Sequence, residues 1–210
     1  MKILSQNRIQ KLLKNLRRNE MKAFYYATAL EAEKQILKMI PMNSRVGVGG
    51  SVTIREMNLI GDLLRRGNEV YDHWKEGLSQ KERMEVCKKQ QKADLFLTSA
   101  NALTMDGKIL NIDATGNRVS SMIFGPSKVI VIAGVNKVVE NVNEGLDRLK
   151  KIAAPRNCQR RKDPTPCAKD LICRDCHSGG RLCRVITIME RRPWGIPEFI
   201  VILVGEEMGY

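Results

Sequence analysis

The chain has 210 residues, 43% of them hydrophobic, and sets 36 Lys and Arg against 23 Asp and Glu for a formal net charge of +13. That length supports one large α/β domain with a full core of its own, and nothing in the composition forces a second. Its longest apolar runs, such as VIVIAG and FIVILVG, are far shorter than the roughly 20 residues of a membrane span, and the charged opening MKILSQNRIQKLLKNLRRNE has no apolar core of the secretory type. The sequence therefore predicts a cytoplasmic protein with no membrane span.

The charge asks for an acidic partner, but the basic residues are dispersed. Arg17-Arg18, Lys88-Lys89 and Arg160-Arg161-Lys162 are short runs, and ten aromatic residues offer few stacking platforms. Nucleic acid is disfavoured on these grounds. A small anionic ligand, or solubility alone, accounts for the charge equally well.

From the amino terminus, Ile9, Leu12, Leu13 and Leu16 recur at helical spacing with Lys and Arg opposite, so residues 1–22 read as an amphipathic helical segment. A short apolar piece spans Ala23 to Tyr26, and Ala27 to Ile40 reads as a helix stopped by Pro41. Arg45 to Val48 fits a buried strand, Gly49-Gly50 a tight turn, and Ser51 to Arg65 one helix. The alternation continues with strand EVYDHW, helix Ser79 to Lys92, strand ADLFLTSA, hairpin element KILNID, strand KVIVIAG and helix Val139 to Ala153. Residues 154–184, rich in Cys, Pro, Gly and charge, read as an irregular lobe inserted before two final strands, VITIMER and FIVILVG. Strands and helices alternating at this length define a single 1–210 α/β domain with a Rossmann-like, largely parallel sheet.

The turn VGVGGSVT carries two glycines between a strand and a helix start. Gly49 and Gly50 let a ligand approach the backbone, while Ser51 and Thr53 with the free amides favour an anion. The pattern is neither GxGxxG nor GxxxxGK[ST], and a plain Ser-capped turn would look the same. Downstream, LTSANALTMDGKILNIDATGNRVS follows the apolar strand DLFL, where a ligand crevice belongs in such a sheet. Its polar residues Asn101, Thr104, Asn111, Asp113, Thr115, Gly116, Asn117 and Arg118 are candidate ligand contacts beside Gly49, Gly50, Ser51 and Thr53. A carboxylate, amides and a guanidinium so close together can orient a polar anion, whereas MDGK reads as a hairpin turn.

Four of the six cysteines, Cys167, Cys173, Cys176 and Cys183, fall in the spacing Cx5CxxCx6C. Four thiolates suit a [4Fe–4S] cluster or a tetrahedral zinc, and free thiols remain open. Lys169, Arg174, Arg181 and Arg184 nearby would lower the thiol pKa values. CRDCH matches a c-type haem attachment motif, but that chemistry follows export. Cys158 is a substitute ligand, and Cys87 reads as a quiet helix residue. With only His73 and His177, neither in a nucleophile motif, Ser-His-Asp and Cys-His enzymes are disfavoured. Glu190 is read as a salt-bridge partner of Arg191 or Arg192 rather than a general base, and Trp194 as part of a packed turn.

Taken together, VGVGGSVT, TSANALTMDGKILNIDATGNRVSSMIFGPSKVIVIAGVNK, TPC with the cysteines after it, and RRPWGIPEFIVILVGEEMG resemble the lactate-utilisation (LUD) domain family from about Ala27 onward. The resemblance implies a fold similar to the isomerase and CoA-transferase superfamily. It also implies an accessory role in the oxidation of lactate or a related 2-hydroxy acid, with iron–sulfur redox proteins as partners, which favours a cluster over zinc at the four cysteines. An isomerase- or transferase-like enzyme acting on a phosphorylated or CoA-linked substrate, with structural zinc or no metal, is the alternative. The resemblance assigns no catalytic residue.

Overall fold

The computed structural model describes residues 4–210, so the first three residues of the expected 1–22 segment lie outside the described residues. Chain order runs α1 (Gln6–Arg18), β1 (Lys22–Tyr26), α2 (Ala29–Met39), β2 (Arg45–Val48), α3 (Val52–Glu56), α4 (Leu59–Arg65), β3 (Glu69–Asp72), α5 (Gln80–Gln91) and β4 (Leu95–Ser99). A hairpin of β5 (Ala102–Thr104) and β6 (Ile109–Asp113) follows, then α6 (Asn117–Ile123), β7 (Lys128–Gly134), β8 (Val138–Val139), α7 (Val142–Arg148), α8 (Ala154–Arg161), α9 (Cys167–Asp170), β9 (Val185–Met189) and β10 (Glu198–Val204). No helix among the described residues is long and apolar enough to cross a membrane.

Six strands form a sheet in the order β1-β10-β7-β4-β2-β3, every neighbouring pair parallel. Parallel strands covered on both faces have no solvent side, which is why KVIVIAG and EFIVILV read as continuous apolar runs. Period-two alternation still divides their side chains between two cores. Val129, Val131, Phe199, Val201 and Leu203 face α1, whose Ile9, Leu12, Leu13 and Leu16 are buried against them. Ile130, Ile132, Ile200 and Ile202 face Ile36 of α2, Ile54 of α3 and Leu59 and Leu63 of α4. Truncating a fully buried Leu such as Leu12 or Leu63 would cost about 2–5 kcal/mol.

Strand order places a crevice. From β2 the chain leads outward to β3, whereas β4 lies on the other side of β2 and leads to β7. The connections after β2 and β4 therefore diverge and leave a gap at the carboxyl ends of these strands, the switch point where ligands of open α/β sheets bind.

Four expectations need correction. The helix expected over Ser51 to Arg65 is two helices, because Met57 is extended (φ −98°, ψ 147°) and buried, and Glu33 accepts the Asn58 amide at 3.1 Å. A second sheet was not foreseen. It runs β8-β5-β6-β9, and VITIM pairs antiparallel to β6 instead of joining the parallel sheet, with its own small core of Ala102, Leu110, Ile112, Val139, Leu149 and Ala154. The helix expected from Val139 starts at Val142, capped by the Asn141 side chain. It then continues through a π-helical turn at Leu149–Ala153 into α8, so the first eight residues of the expected irregular lobe are helical. Trp194 is not packed at all: it is 92% exposed.

Candidate functional site

Segments following five parallel strands converge on a cavity of about 340 Å³. Gly50 to Thr53 follow β2, His73 and Trp74 follow β3, Ser99 to Asn101 close β4, Lys137 follows β7 and Tyr210 follows β10; Asp113 to Arg118 arrive from the second sheet and Asn157 to Arg161 from α8. Five basic side chains line it (Arg83, Arg118, Lys137, Arg160 and Arg161), against the single side-chain carboxylate of Asp113.

Lys137 is buried, 2% exposed. Its Nζ lies 2.7 Å from Thr53 Oγ1 and 2.8 Å from Ser99 Oγ, and among the described residues no carboxylate forms an ion pair with it. Burial first, then the charges of Arg148 and Arg118, bring its pKa down from 10.5 to about 7, against a small opposing pull from Glu56. Arg148 is itself buried and brings β4 and β7 together, donating to Asn101 O at 2.6 Å and to Asn136 O at 3.2 Å. Burial lowers its pKa to about 10.

Arg118 lies across the second-sheet side. Its Nη2 donates to Ile112 O at 2.6 Å and Asn101 Oδ1 at 2.9 Å, and its Nε is 3.5 Å from Asp113 Oδ2. Asp113 Oδ1 accepts from the Ala114 amide at 2.8 Å, but Oδ2 is buried without a hydrogen bond. Opposite, Gln90 of α5 donates through Nε2 toward Val48 O at 2.7 Å, His73 Nδ1 at 2.9 Å and Tyr71 O at 3.0 Å. Burial pushes the His73 pKa below its usual value. Asn117 closes the ring by donating to Gln90 Oε1 at 3.3 Å. At the rim, Arg160 lies over the Trp74 ring, bonding Tyr210 Oη at 2.8 Å and Asn157 Oδ1 at 3.0 Å.

Of the twelve residues expected to contact the ligand, the fold brings Gly50, Ser51, Thr53, Asn101, Asp113, Thr115, Asn117 and Arg118 to this cavity. The other four do not line it. Gly49 donates its amide to Leu97 O at 2.8 Å, so it is not free for an anion. Thr104 caps the β5–β6 turn with Asp106 and the Lys108 amide. Asn111 Oδ1 accepts the Asn101 amide at 3.2 Å. Gly116 takes φ 85° to start α6. Lys137, Ser99, His73, Trp74, Arg160 and Tyr210 were missed. The one available signal was position, since Lys137 comes just after the strand VIVIAG.

The thiols gather but do not make a metal centre as they stand. Cys158, Cys167, Cys173 and Cys176 each lie within electrostatic reach of Cys183. Yet no group of three or more His, Cys, Asp or Glu side chains among the described residues is placed to hold a metal ion. The lowering expected from neighbouring arginines is not seen at Cys183, where burial raises the thiol to about 11; Cys158, also buried, rises to about 12. Arg174 and Arg181 are instead paired with Asp170 at 2.5 Å and Asp175 at 2.6 Å. Arg181 also donates to Cys176 O at 2.6 Å and Cys183 O at 2.9 Å, bracing the loop. His177 lies in that loop. Cys87, expected to be quiet, lines the cavity from α5. Glu190 pairs with Lys108 at 3.1 Å, while Arg191 and Arg192 reach Glu20.

A six-stranded parallel sheet with a cavity at its switch point places the chain in the α/β class. The chain belongs to the LUD domain family, whose family model matches residues 9–204. Among solved structures, a DUF162 family protein from Deinococcus radiodurans has a similar fold, with a TM-score of 0.55 and 15% identity over 96% of this chain and 99% of that one. No curated protein matches the chain.

Proposed function

We propose that the cavity binds a small organic anion of the 2-hydroxy or 2-oxo acid class, and that the protein serves lactate or related 2-hydroxy-acid oxidation as an accessory component. The observation that carries this reading is the excess of basic side chains, four arginines besides Lys137, over the one carboxylate of Asp113 in the cavity lining. Such a site costs stability when empty and gains most from a ligand carboxylate. The size favours a small ligand, because about 340 Å³ is at the low end of ligand pockets. Membership of the LUD domain family supports the lactate context. Calorimetric titration with L-lactate, pyruvate, inorganic phosphate and a CoA thioester tests it. Saturable binding of the two acids supports the reading; binding of the phosphate or thioester alone would favour the isomerase- or transferase-like alternative.

An iron–sulfur centre for electron transfer to iron–sulfur partners is a second reading, favoured by five thiols in one region. The donor chemistry suits it, whereas the arrangement does not, so the segment from Cys173 to Cys183 would have to draw inward and no chemical step is assigned to it. Iron and zinc analysis of protein purified without oxygen decides it: iron at cluster stoichiometry supports it, and metal-free protein removes both occupants.

A further inference from the structure

Two protons of a lysine amine are accounted for at Lys137, one toward Thr53 Oγ1 and one toward Ser99 Oγ. Both hydroxyls have other acceptors for their own protons, Met208 O for Thr53 at 3.3 Å and Ala100 O for Ser99 at 3.3 Å. A neutral amine held this way keeps its lone pair unused, and all three residues line the cavity. No carboxylate among the described residues is there to hold the amine as an ammonium ion. A buried lysine without an anionic partner is shifted toward its neutral form.

We propose that Lys137 is a nucleophile that captures the carbonyl of a 2-oxo acid as an imine in this cavity. The inference rests on the anion-binding reading above and adds a covalent step to it. The Nζ lone pair forms a bond to the carbonyl carbon while the carbonyl π pair moves to oxygen, which takes up a proton. The carbinolamine then loses that oxygen as water, the nitrogen gives up its remaining protons, and a C=N bond replaces C=O. Amine and 2-oxo acid become imine and water, with no oxidant or reductant involved. Ser99 and Thr53, whose hydroxyl oxygens lie 3.4 Å apart, stand beside the nitrogen and are placed to pass these protons. The positive charges facing Lys137 are Arg118 from α6 and Arg148 from α7, and the one negative group is Glu56 from α3. Burial first, and then this balance of charges, keeps the amine nucleophilic near neutral pH.

The test is reductive trapping of the wild-type full chain with pyruvate and sodium borohydride, followed by intact mass and peptide mapping. The account expects one reduced adduct per chain, located on Lys137, with trapping that rises through about pH 7 and is absent from Lys137→Arg. Parallel calorimetry with pyruvate separates the two levels of the argument. Pyruvate binding without an adduct, or label scattered over surface lysines, overturns the imine and leaves the anion site standing. Absence of both binding and adduct overturns both. Because the mapping is done on the wild-type chain, a variant that fails to fold does not decide the result.

Discussion

A Cβ on Gly50 would stand 2.8 Å from Nε1 of Trp74, so the turn after β2 and the ring after β3 fit together only because that residue is glycine. The ring is also flanked by cations, with Arg160 Cζ 4.3 Å and Arg55 Cζ 5.2 Å from its centroid. It therefore fixes the position of one of the cavity's arginines. Each such contact is worth about 0.5–2 kcal/mol.

Gly50→Val is expected to displace Trp74, release Arg160 and weaken pyruvate or L-lactate binding by roughly tenfold, equivalent to about 1.4 kcal/mol. The parallel sheet should be left intact, since Gly50 is partly exposed and outside β2. Calorimetric titration alongside far-UV circular dichroism checks both halves. Unchanged affinity in a folded variant would show that this turn does not shape the site.

Lys137 makes stability depend on pH in a definite direction. Its folded-state pKa of about 7 lies below the ordinary 10.5, so between these values the unfolded chain binds more protons and stability rises with pH. Below about pH 7 the cost of burying the charged amine is fully present. Lys137→Met should therefore gain most over wild type at pH 6, with the difference in Tm shrinking steadily toward pH 10. A pH-independent difference would mean that the lysine is not held near neutrality.

Gly107 joins α1 to the second sheet. Its φ is +85°, and a Cβ there would meet the backbone of Asn15 and Leu16 at 2.8 Å. Asn15 donates to Met105 O at 2.7 Å and Asn19 to Gly107 O at 3.0 Å across the same contact. Gly107→Ala combines left-handed strain with a backbone collision, so chemical denaturation should show a loss of roughly 1–3 kcal/mol. A loss under about 0.5 kcal/mol, the size of an ordinary surface change, would contradict this docking.

Much of the fold was legible because it rests on local patterns. β4, β7 and β10 announced themselves as apolar runs, since both of their faces are covered. The start of α5 was readable from Ser79, which forms a capping box with Glu82. The break at Met57 was not, because the apolar spacing continues across it and the deciding bond comes from Glu33, far away in the chain. VITIM alternates as a strand does, but nothing local says which sheet it joins. The site divides in the same way. Gly50 to Thr53 and Asn101 to Arg118 were legible as polar residues directly following strands. Lys137, His73 and Arg160 enter only once the strand order 1-10-7-4-2-3 brings separate strand ends, and α8 with them, around one cavity.

The central claim, a small organic anion held at the switch point, is tested most directly by amide chemical-shift mapping of isotope-labelled protein during titration with pyruvate and L-lactate. The account predicts saturable shifts concentrated at Gly50 to Thr53, Asn101, Asp113 to Arg118 and Lys137. Shifts confined to other surfaces, or none at millimolar acid, would contradict it.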